Sequence, residues 1–249
     1  MSFLIDTHCH LHDREFFSQA QAEEMLERAH EENVRKIICI GTSHEDSLVA
    51  AEFARAHKDV YWTYGIHPEC AGKTDAANVP DFTNTDLPRP VAIGEVGLDY
   101  HHDGYDRSAQ IRLFERMLQL ASDFDFPVSF HVREAFDDFF SVVANFPKVC
   151  GVVHSFTDSK KTLRRILSDT DFYIGVNGLA TYSTLPTPPL DRILLETDAP
   201  FLTPTPFRGI INEPAYVRAI AQWLSLKLGQ EYEMIERETT KNATKLFRI

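Results

Sequence analysis

The sequence predicts a single (β/α)8 barrel, the TIM barrel, formed by residues 1–249 as one domain. Three observations predict it: eight short apolar runs rich in β-branched residues, amphipathic segments between most of these runs, and a length of 249 residues. Short strands joined by helical crossovers form a parallel sheet, and eight such strands close into a barrel of about this length. No linker or internal repeat divides the chain.

The predicted strands are runs of apolar residues, most of which are followed by a polar or ionisable residue. The carboxyl ends of barrel strands meet at one mouth, where active sites form in this fold. In chain order the predicted strands cover residues 3–7, 36–41, 59–66, 91–97, 127–131, 150–154, 171–176 and 192–197.

Several segments between the strands carry apolar side chains at helical spacing. The series Ile111, Phe114, Leu118 and Ala121 is one example. A stripe with this spacing is one face of an amphipathic helix, so we expect such helices to pack around the barrel.

Two connections break this pattern. Residues 67–90 contain four prolines, so at most a short helix fits there. Residues 177–191 contain three prolines, and each removes a backbone donor and clashes with the preceding helical turn. We therefore predict that the crossover after strand seven lacks a regular helix and leaves a gap in the outer ring.

Composition limits the possible environments and partners. The net charge of −12 argues against a broad basic surface for gripping nucleic acid, although bound divalent ions would provide local positive charge for a polyanionic substrate. The sequence has no apolar run of membrane-spanning length. Its first residues lack a basic region followed by an apolar one, so we expect no signal peptide. The four cysteines show no CxxC spacing, which indicates free thiols in a reducing compartment. We expect a cytoplasmic monomer that does not associate with membranes.

Ionisable residues stand just past the apolar stretch of six predicted strands. Imidazole and carboxylate ligands suit Zn²⁺, Mn²⁺ or Fe, and Mg²⁺ is accepted when phosphate oxygens complete the coordination. Six ligands exceed what one catalytic ion with open positions needs, so we predict two ions about 3.5–4 Å apart. The candidate ligands are His8, His10, Glu95, His131, His154 and Asp198.

These residues belong to motifs that resemble the TatD family of metal-dependent DNases, and the resemblance spans nearly the whole chain. It implies a TIM-barrel hydrolase of the amidohydrolase-like superfamily. It also implies hydrolysis of nucleic-acid phosphodiesters, with DNA as the expected substrate, usually with Mg²⁺ and often as a 3′-to-5′ exonuclease; Mn²⁺ and Zn²⁺ are the alternative metals. The motifs, in chain order, are DTHCH (6–10), GIHP (65–68), GEVGLDY (94–100), FHVR (130–133), VHSF (153–156) and ETDAP (196–200).

The resemblance further implies how the candidate ligands divide between the ions. The first ion is held by His8, His10 and Asp198. The second ion is reached through a bridging carboxylate, Glu95, and is held by His131 and His154.

Two carboxylates are the catalytic candidates. Asp198 is expected to be both a metal ligand and the acceptor of the proton of the attacking water, because a carboxylate beside that water can take its proton. Glu95 is the second candidate through its position between the ions. Glu196 and Asp6 are expected to orient histidine ligands instead of acting in catalysis.

Four residues are candidate substrate contacts. Arg133 lies on the same strand face as His131 and is expected to clamp a phosphate, with a salt bridge to a carboxylate as the alternative. His67 is expected to contact phosphate or to hydrogen-bond to a metal ligand. Arg208 and Asn212, in the loop after strand eight, are expected to contact the substrate.

The aromatic residues near the same strand ends have a different expectation. Tyr100 and Phe201 have the chemistry to stack on a base, but we favour packing at the barrel rim for both.

Other functions fit parts of the same pattern. Amidohydrolase-type lactonases and phosphotriesterases often bridge their metals with a carbamylated lysine, whereas strand four offers Glu95 and no lysine. Deacylation of mischarged aminoacyl-tRNA is an ester hydrolysis that the same site could perform. A binding module without catalysis would not need all six ligands.

Overall fold

The computed structural model describes residues 3–72 and 88–249. Eight strands form one parallel sheet in which each strand pairs with its neighbours in sequence. The first strand also bridges to the segment after the eighth, where the His10 N–H donates to Ala199 O at 2.8 Å and the Asp198 N–H donates to His8 O at 2.8 Å. The predicted TIM barrel is therefore confirmed.

The strands are short, and the last two candidate ligands lie just beyond their ends. β6 and β8 have three residues each, fewer than predicted, and the segments that follow them contain the left-handed residues Ser155 and Asp198. The strands are β1 (Leu4–Cys9), β2 (Val34–Cys39), β3 (Val60–Tyr64), β4 (Ala92–Asp99), β5 (Val128–Arg133), β6 (Gly151–Val153), β7 (Tyr173–Val176) and β8 (Ile193–Leu195).

Seven helices surround the strands in the described part of the chain. Four of them have an N-cap residue whose side-chain oxygen accepts a hydrogen bond from the backbone N–H three residues later. These N-caps are Ser18, Ser43, Asp106 and Ser159. None of these helices is long and apolar enough to span a bilayer. They are α1 (Gln19–Glu31), α2 (His44–Ala56), α3 (Arg107–Phe124), α4 (Phe136–Val143), α5 (Lys160–Asp169), α6 (Val217–Leu228) and α7 (Tyr232–Phe247).

The predicted helical stripe lies on α3. Phe114, Leu118 and Ala121 are fully buried in the main hydrophobic core, and Ile111 packs against that core from a half-buried position. The apolar spacing in the sequence therefore identified the face of α3 that covers the sheet.

The connection between β7 and β8 lacks an α-helix, as predicted. Residues 177–191 form a short 3₁₀ turn at Gly178–Thr181 and lead into another at Leu190–Arg192. The other proline-rich connection contains a 3₁₀ turn at Pro68–Cys70. The remainder of the prediction for 67–90 falls largely on residues 73–87, which lie outside the described residues.

The C-terminal helix α7 contacts the connection between β7 and β8 at its end, next to β8. Its buried Asn242 donates through the side-chain amide to Leu190 O at 3.0 Å and Ile193 O at 2.9 Å. Its last turn, with Leu246 and Phe247, packs on strand residues such as Ile5 that lie near the amino ends of the strands. Helix α7 therefore covers the end of the barrel opposite the candidate ligands and holds the start of β8 in place.

Replacing Asn242 with alanine should destabilise the protein without altering the candidate ligands. The Asn242→Ala variant leaves two backbone carbonyls without their amide donor, and an unpaired buried polar group costs about 1–3 kcal/mol. We expect the free energy of unfolding in urea to fall by about that amount. Lys245→Ala, an exposed position on the same helix, is the control and should change it by less than about 0.5 kcal/mol. Equal stability of the two variants would show that the Asn242 contacts are dispensable.

Candidate metal centre

The six candidate ligands converge at the carboxyl end of the barrel, around a cleft of about 920 Å³. Five of them line this cleft, and His8 lies buried beneath it. The polar residues at the six strand ends are thus brought to one site, as parallel strands in a closed barrel require.

Asp198 stands between the two histidines of β1. Its Oδ1 lies 3.6 Å from His8 Nε2 and 3.6 Å from His10 Nε2. These distances are too long for hydrogen bonds. Two atoms that each lie about 2.0–2.2 Å from one ion are separated by at most about 4.4 Å, so all three side chains can reach a single ion.

Glu95 faces two sides of the site with its two oxygens. Its Oε2 lies 3.7 Å from His8 Nε2, whereas its Oε1 lies 2.8 Å from His131 Nδ1 and 3.8 Å from His154 Nε2. Burial alone would raise the pKa of Glu95, but the hydrogen bond from His131 and the neighbouring histidines hold it well below its usual value. Glu95 is therefore a carboxylate, with the orientation that a bridging ligand needs.

The second nitrogen of three candidate ligands lies beside an oxygen outside the ligand set. His10 Nδ1 donates to Ile40 O at 3.2 Å and His131 Nε2 lies 2.8 Å from Asp99 Oδ2. His154 Nδ1 lies 3.0 Å from Glu196 Oε1 but does not form a hydrogen bond to it. Metal-binding histidines commonly direct their other nitrogen to such an acceptor, which fixes the tautomer and the ring orientation. The remaining nitrogen of each ring faces Glu95 or Asp198.

His8 differs from the other three histidines in that both of its ring nitrogens are buried without a hydrogen-bond partner among residues 3–72 and 88–249. Burial, and next the adjacent His154 ring stacked on it at 3.4 Å, lower the pKa of His8 well below its usual value. A neutral buried imidazole with no partner is costly, and it has the lone pair that a metal ion requires. The residues present therefore fit a metal ion.

The surroundings of His131 differ in part from the expected division of ligands. Nitrogen and oxygen atoms of His67, Glu95 and His131 lie within 4.8 Å of one another, and the rings of His67 and His131 meet edge to face at 4.5 Å. His154 instead stacks on His8 and lies 3.9 Å from Asp198 Oδ1. His67 thus lies beside Glu95 and His131. His154 lies between that group and the group of His8, His10 and Asp198.

Asp99 is a site residue for which no role was predicted. Its carboxylate accepts from His131 and from the His101 N–H, and its backbone is tied to the Gln110 amide. Although burial lowers the pKa of His131, its hydrogen bonds to Asp99 and Glu95 raise it to about 9. The available signal was a second carboxylate four residues after Glu95 on the same strand.

The two residues expected to orient histidines behave differently. Glu196 lies beside His154 as expected and also accepts from the Ser155 N–H at 2.7 Å. A Cβ on Gly175 would lie 2.4–2.6 Å from the Glu196 carboxylate, so that position needs glycine. The expectation for Asp6 is wrong: its carboxylate accepts from the backbone and hydroxyl of Thr197, and no hydrogen bond joins it to a histidine ring among residues 3–72 and 88–249. Asp6 joins β1 to the segment after β8.

Two of the four expected substrate contacts line the cleft. Arg133 lies exposed at its edge, two residues beyond His131, and His67 lines it beside the same ring.

The other two expected contacts are placed differently. Asn212 is fully buried, and its amide donates to Thr197 O at 2.8 Å and Phe201 O at 2.6 Å, so it cannot contact a substrate. Arg208 does not line the cleft; its guanidinium stacks on Tyr182 at 3.9 Å and donates to Thr203 O. Both residues order the loop after β8. Burial rules out a substrate contact for Asn212, whereas the expectation for the exposed Arg208 stays a prediction.

His12, which the sequence analysis did not assign, ties the β1–α1 loop to α2. It is buried, and its Nε2 lies 3.0 Å from Asp46 Oδ1. Burial lowers the pKa of His12, but its hydrogen bond to Asp46 and the neighbouring Cys39 outweigh burial and raise it to about 9. Asp46 also accepts from the Thr42 N–H and hydroxyl, so His12 supports a loop that lines the cleft.

The raised pKa of His12 predicts a pH-dependent contribution to stability. Because the folded-state pKa lies above the unfolded value of about 6.5, the contribution is complete below pH 6.5 and is lost as the pH rises through about 9. The loss of unfolding free energy caused by His12→Gln should therefore be largest near pH 6 and shrink toward pH 10. Urea unfolding at several pH values measures this, with His30→Gln, an exposed position on α1, as the control for loss of a histidine. A pH-independent loss would mean that packing, not charge, is what His12 contributes.

The contact between Glu196 and His154 predicts an effect on metal affinity. Glu196→Gln keeps the shape of the side chain but removes the charge that orients His154, and such changes weaken metal binding about 10–100-fold. Calorimetric titration of the metal-free protein with Mn²⁺ measures the loss. Glu52→Gln on the exposed face of α2 is the matched control and should bind as the unaltered protein does. Equal affinity of both variants would remove Glu196 from the support of the site.

Comparison with known proteins agrees with this geometry. A family model described as TatD related DNase matches residues 5–248. The "Uncharacterized metal-dependent hydrolase YabD" of Bacillus subtilis is 34% identical, with 99% of each chain covered. The "3'-5' ssDNA/RNA exonuclease TatD" of Pantoea ananatis is 34% identical over 90% of this chain and 92% of that protein. The crystal structure of YJJV, a TatD homolog from Escherichia coli K12, superposes with a TM-score of 0.84 at 28% identity, covering 99% of this chain and 98% of that one. The chain therefore belongs to the TatD family of metal-dependent hydrolases.

Proposed function

We propose that this protein hydrolyses phosphodiester bonds of nucleic acid, with DNA as the expected substrate, by means of two divalent metal ions. The observation that carries the proposal is the placement of Glu95 and Asp198 inside a ring of four histidines. One nitrogen of each histidine lies within 3.9 Å of one of these carboxylates. The name of the Pantoea relative, a single-stranded DNA and RNA exonuclease, supports nucleic acid as the substrate and 3′-to-5′ exonuclease action.

The first ion is assigned to His8, His10 and Asp198, whose nitrogen and oxygen atoms lie within 4.8 Å of one another. His131 and His154 would hold the second ion, with Glu95 as the carboxylate that would be shared between the two. Mg²⁺ is the expected metal, with Mn²⁺ and Zn²⁺ as alternatives, since the mixed imidazole and carboxylate set accepts all three when phosphate oxygens join it.

When bound, two divalent ions polarise the phosphoryl oxygen and lower the pKa of the attacking water. The contribution of the chain is to place its carboxylates and its cationic side chain around the phosphorus. The Asp198 side chain is 14% exposed and that of Glu95 is 6% exposed, so Asp198 is the more accessible proton acceptor. Arg133, at the edge of the same cleft, is placed to hold a non-bridging phosphate oxygen.

Asp198→Asn should abolish turnover, because the amide cannot accept the proton and binds metal more weakly than a carboxylate. We expect a loss of at least about 100-fold, the lower end of general-base contributions. The assay follows cleavage of oligonucleotides labelled at the 5′ or the 3′ end, single-stranded and duplex, as Mg²⁺, Mn²⁺ or Zn²⁺ is titrated into metal-free protein.

Asp123→Asn, an exposed position on α3, is the matched control and should retain full activity. Urea unfolding of Asp198→Asn should remain cooperative, which separates lost chemistry from lost folding. Near wild-type turnover by Asp198→Asn would refute its role as the base. If no oligonucleotide is cleaved with any of the metals, the nuclease proposal is rejected. Hydrolysis of a lactone or an aminoacyl ester alone would instead support a lactonase or a deacylase function.

A further inference from the structure

Two phenylalanines stand exposed at the rim of the cleft. Phe16, from the β1–α1 loop, is 44% exposed, and Phe201, from the loop after β8, is 47% exposed. Their rings meet edge to face with centroids 5.2 Å apart, and both line the cleft. Two large apolar rings left in water lack the free energy that burial would provide. A ligand that covers them would gain that free energy on binding.

The backbone that carries Phe201 is fixed to the proposed metal centre. The Phe201 N–H donates to Asp198 O at 2.8 Å, and the Phe201 carbonyl accepts from the buried Asn212 amide at 2.6 Å. The ring centroid lies 6.4 Å from that of His10. A side chain that is exposed but rigidly supported loses little freedom when a ligand covers it, which favours binding.

The walls of the cleft differ in chemistry. Phe16 and Phe201 form an apolar wall on the side of β1 and β8, and Arg133 lies at the end of β5. Asp198, His10 and Glu95 belong to the same cleft. A molecule that matches this arrangement has a flat apolar part joined to a phosphate, which is the chemistry of a nucleotide.

We propose that Phe16 and Phe201 form a platform for one unpaired base of the substrate, next to the phosphate held at the metal centre. The two rings stand at 83° to each other, so the base stacks on one ring and meets the other at its edge. This inference rests on the proposed function and adds a specificity determinant to it. Any base can stack on an aromatic ring, so the platform does not select sequence. A base inside a duplex has both faces covered by its neighbours, so the platform selects single-stranded ends.

Binding measurements test the platform separately from catalysis. The probe is a single-stranded phosphorothioate oligonucleotide, which resists hydrolysis, labelled with fluorescein at its 5′ end and titrated in the presence of Mg²⁺ while anisotropy is followed. A second probe has the same backbone but abasic sites at its last three 3′ positions. We expect Phe201→Leu and Phe16→Leu each to weaken binding of the first probe about tenfold, within the range for removal of one stacking side chain. Binding of the abasic probe should not change.

Matched variants exclude general effects of the substitutions. Phe201→Tyr keeps an aromatic face and should bind the first probe as the unaltered protein does. Leu226→Ala removes a side chain on α6 that is 85% exposed and lies outside the cleft lining, and it should have no effect. Because Phe16 and Phe201 are exposed, their leucine variants should unfold at the urea concentration of the unaltered protein.

The outcomes distinguish this inference from the proposed function. If the leucine variants bind both probes as the unaltered protein does, or lose affinity equally for both, the platform is rejected even when oligonucleotides are cleaved. If the unaltered protein binds neither probe, the platform is also rejected. If it discriminates between the probes through Phe201 but cleaves no oligonucleotide with any metal, the platform stands and the nuclease proposal fails.

Discussion

The closure of the barrel between β1 and the segment after β8 is the interaction on which the site depends. Residues about 190 positions apart in the chain are joined there by backbone hydrogen bonds, and the Asp6 carboxylate reinforces the junction through Thr197. The same junction places Asp198 Oδ1 at 3.6 Å from both His8 and His10. Without closure the histidines of β1 would lie at one edge of an open sheet and Asp198 at the other. The fold and the proposed first metal position therefore have a common origin.

Burial at this junction explains the electrostatics of the site. The carboxylates and imidazoles have little water around them, so each side chain needs a partner inside the protein. His10 and His131 hydrogen-bond through their ring nitrogens to a carbonyl or a carboxylate, whereas neither ring nitrogen of His8 has a hydrogen-bond partner among the described residues. Bound cations would offset the negative charge of the buried carboxylates Glu95 and Asp198. The unpaired ring nitrogens of His8 are therefore consistent with the metal ions proposed for the cleft.

The loop after β8 connects the candidate metal centre to the proposed base platform. The side chains of Asn212 and Arg208 order this loop, and the loop in turn presents Phe201. Under this proposal Asn212 would affect substrate binding without touching the substrate, although its polarity and its position in the loop suggested a direct contact. Tyr100, in contrast, is packed as expected: it stacks on Tyr105 and its hydroxyl donates to Asp138.

The sequence by itself determined the barrel, the gap after β7 and the set of six candidate ligands. Hydrophobic periodicity, proline content and polar residues after apolar runs are local properties, so they can be recognised before the chain is folded. Only the tertiary structure decided the role of Asp99, the pairing of Asp6 with Thr197 instead of a histidine, and the place of His67 beside His131. It also showed that Asn212 is buried and Phe201 is exposed. The physical reason is that these roles depend on which side chains from distant strands meet and on how much water remains between them, and no spacing along the chain specifies either.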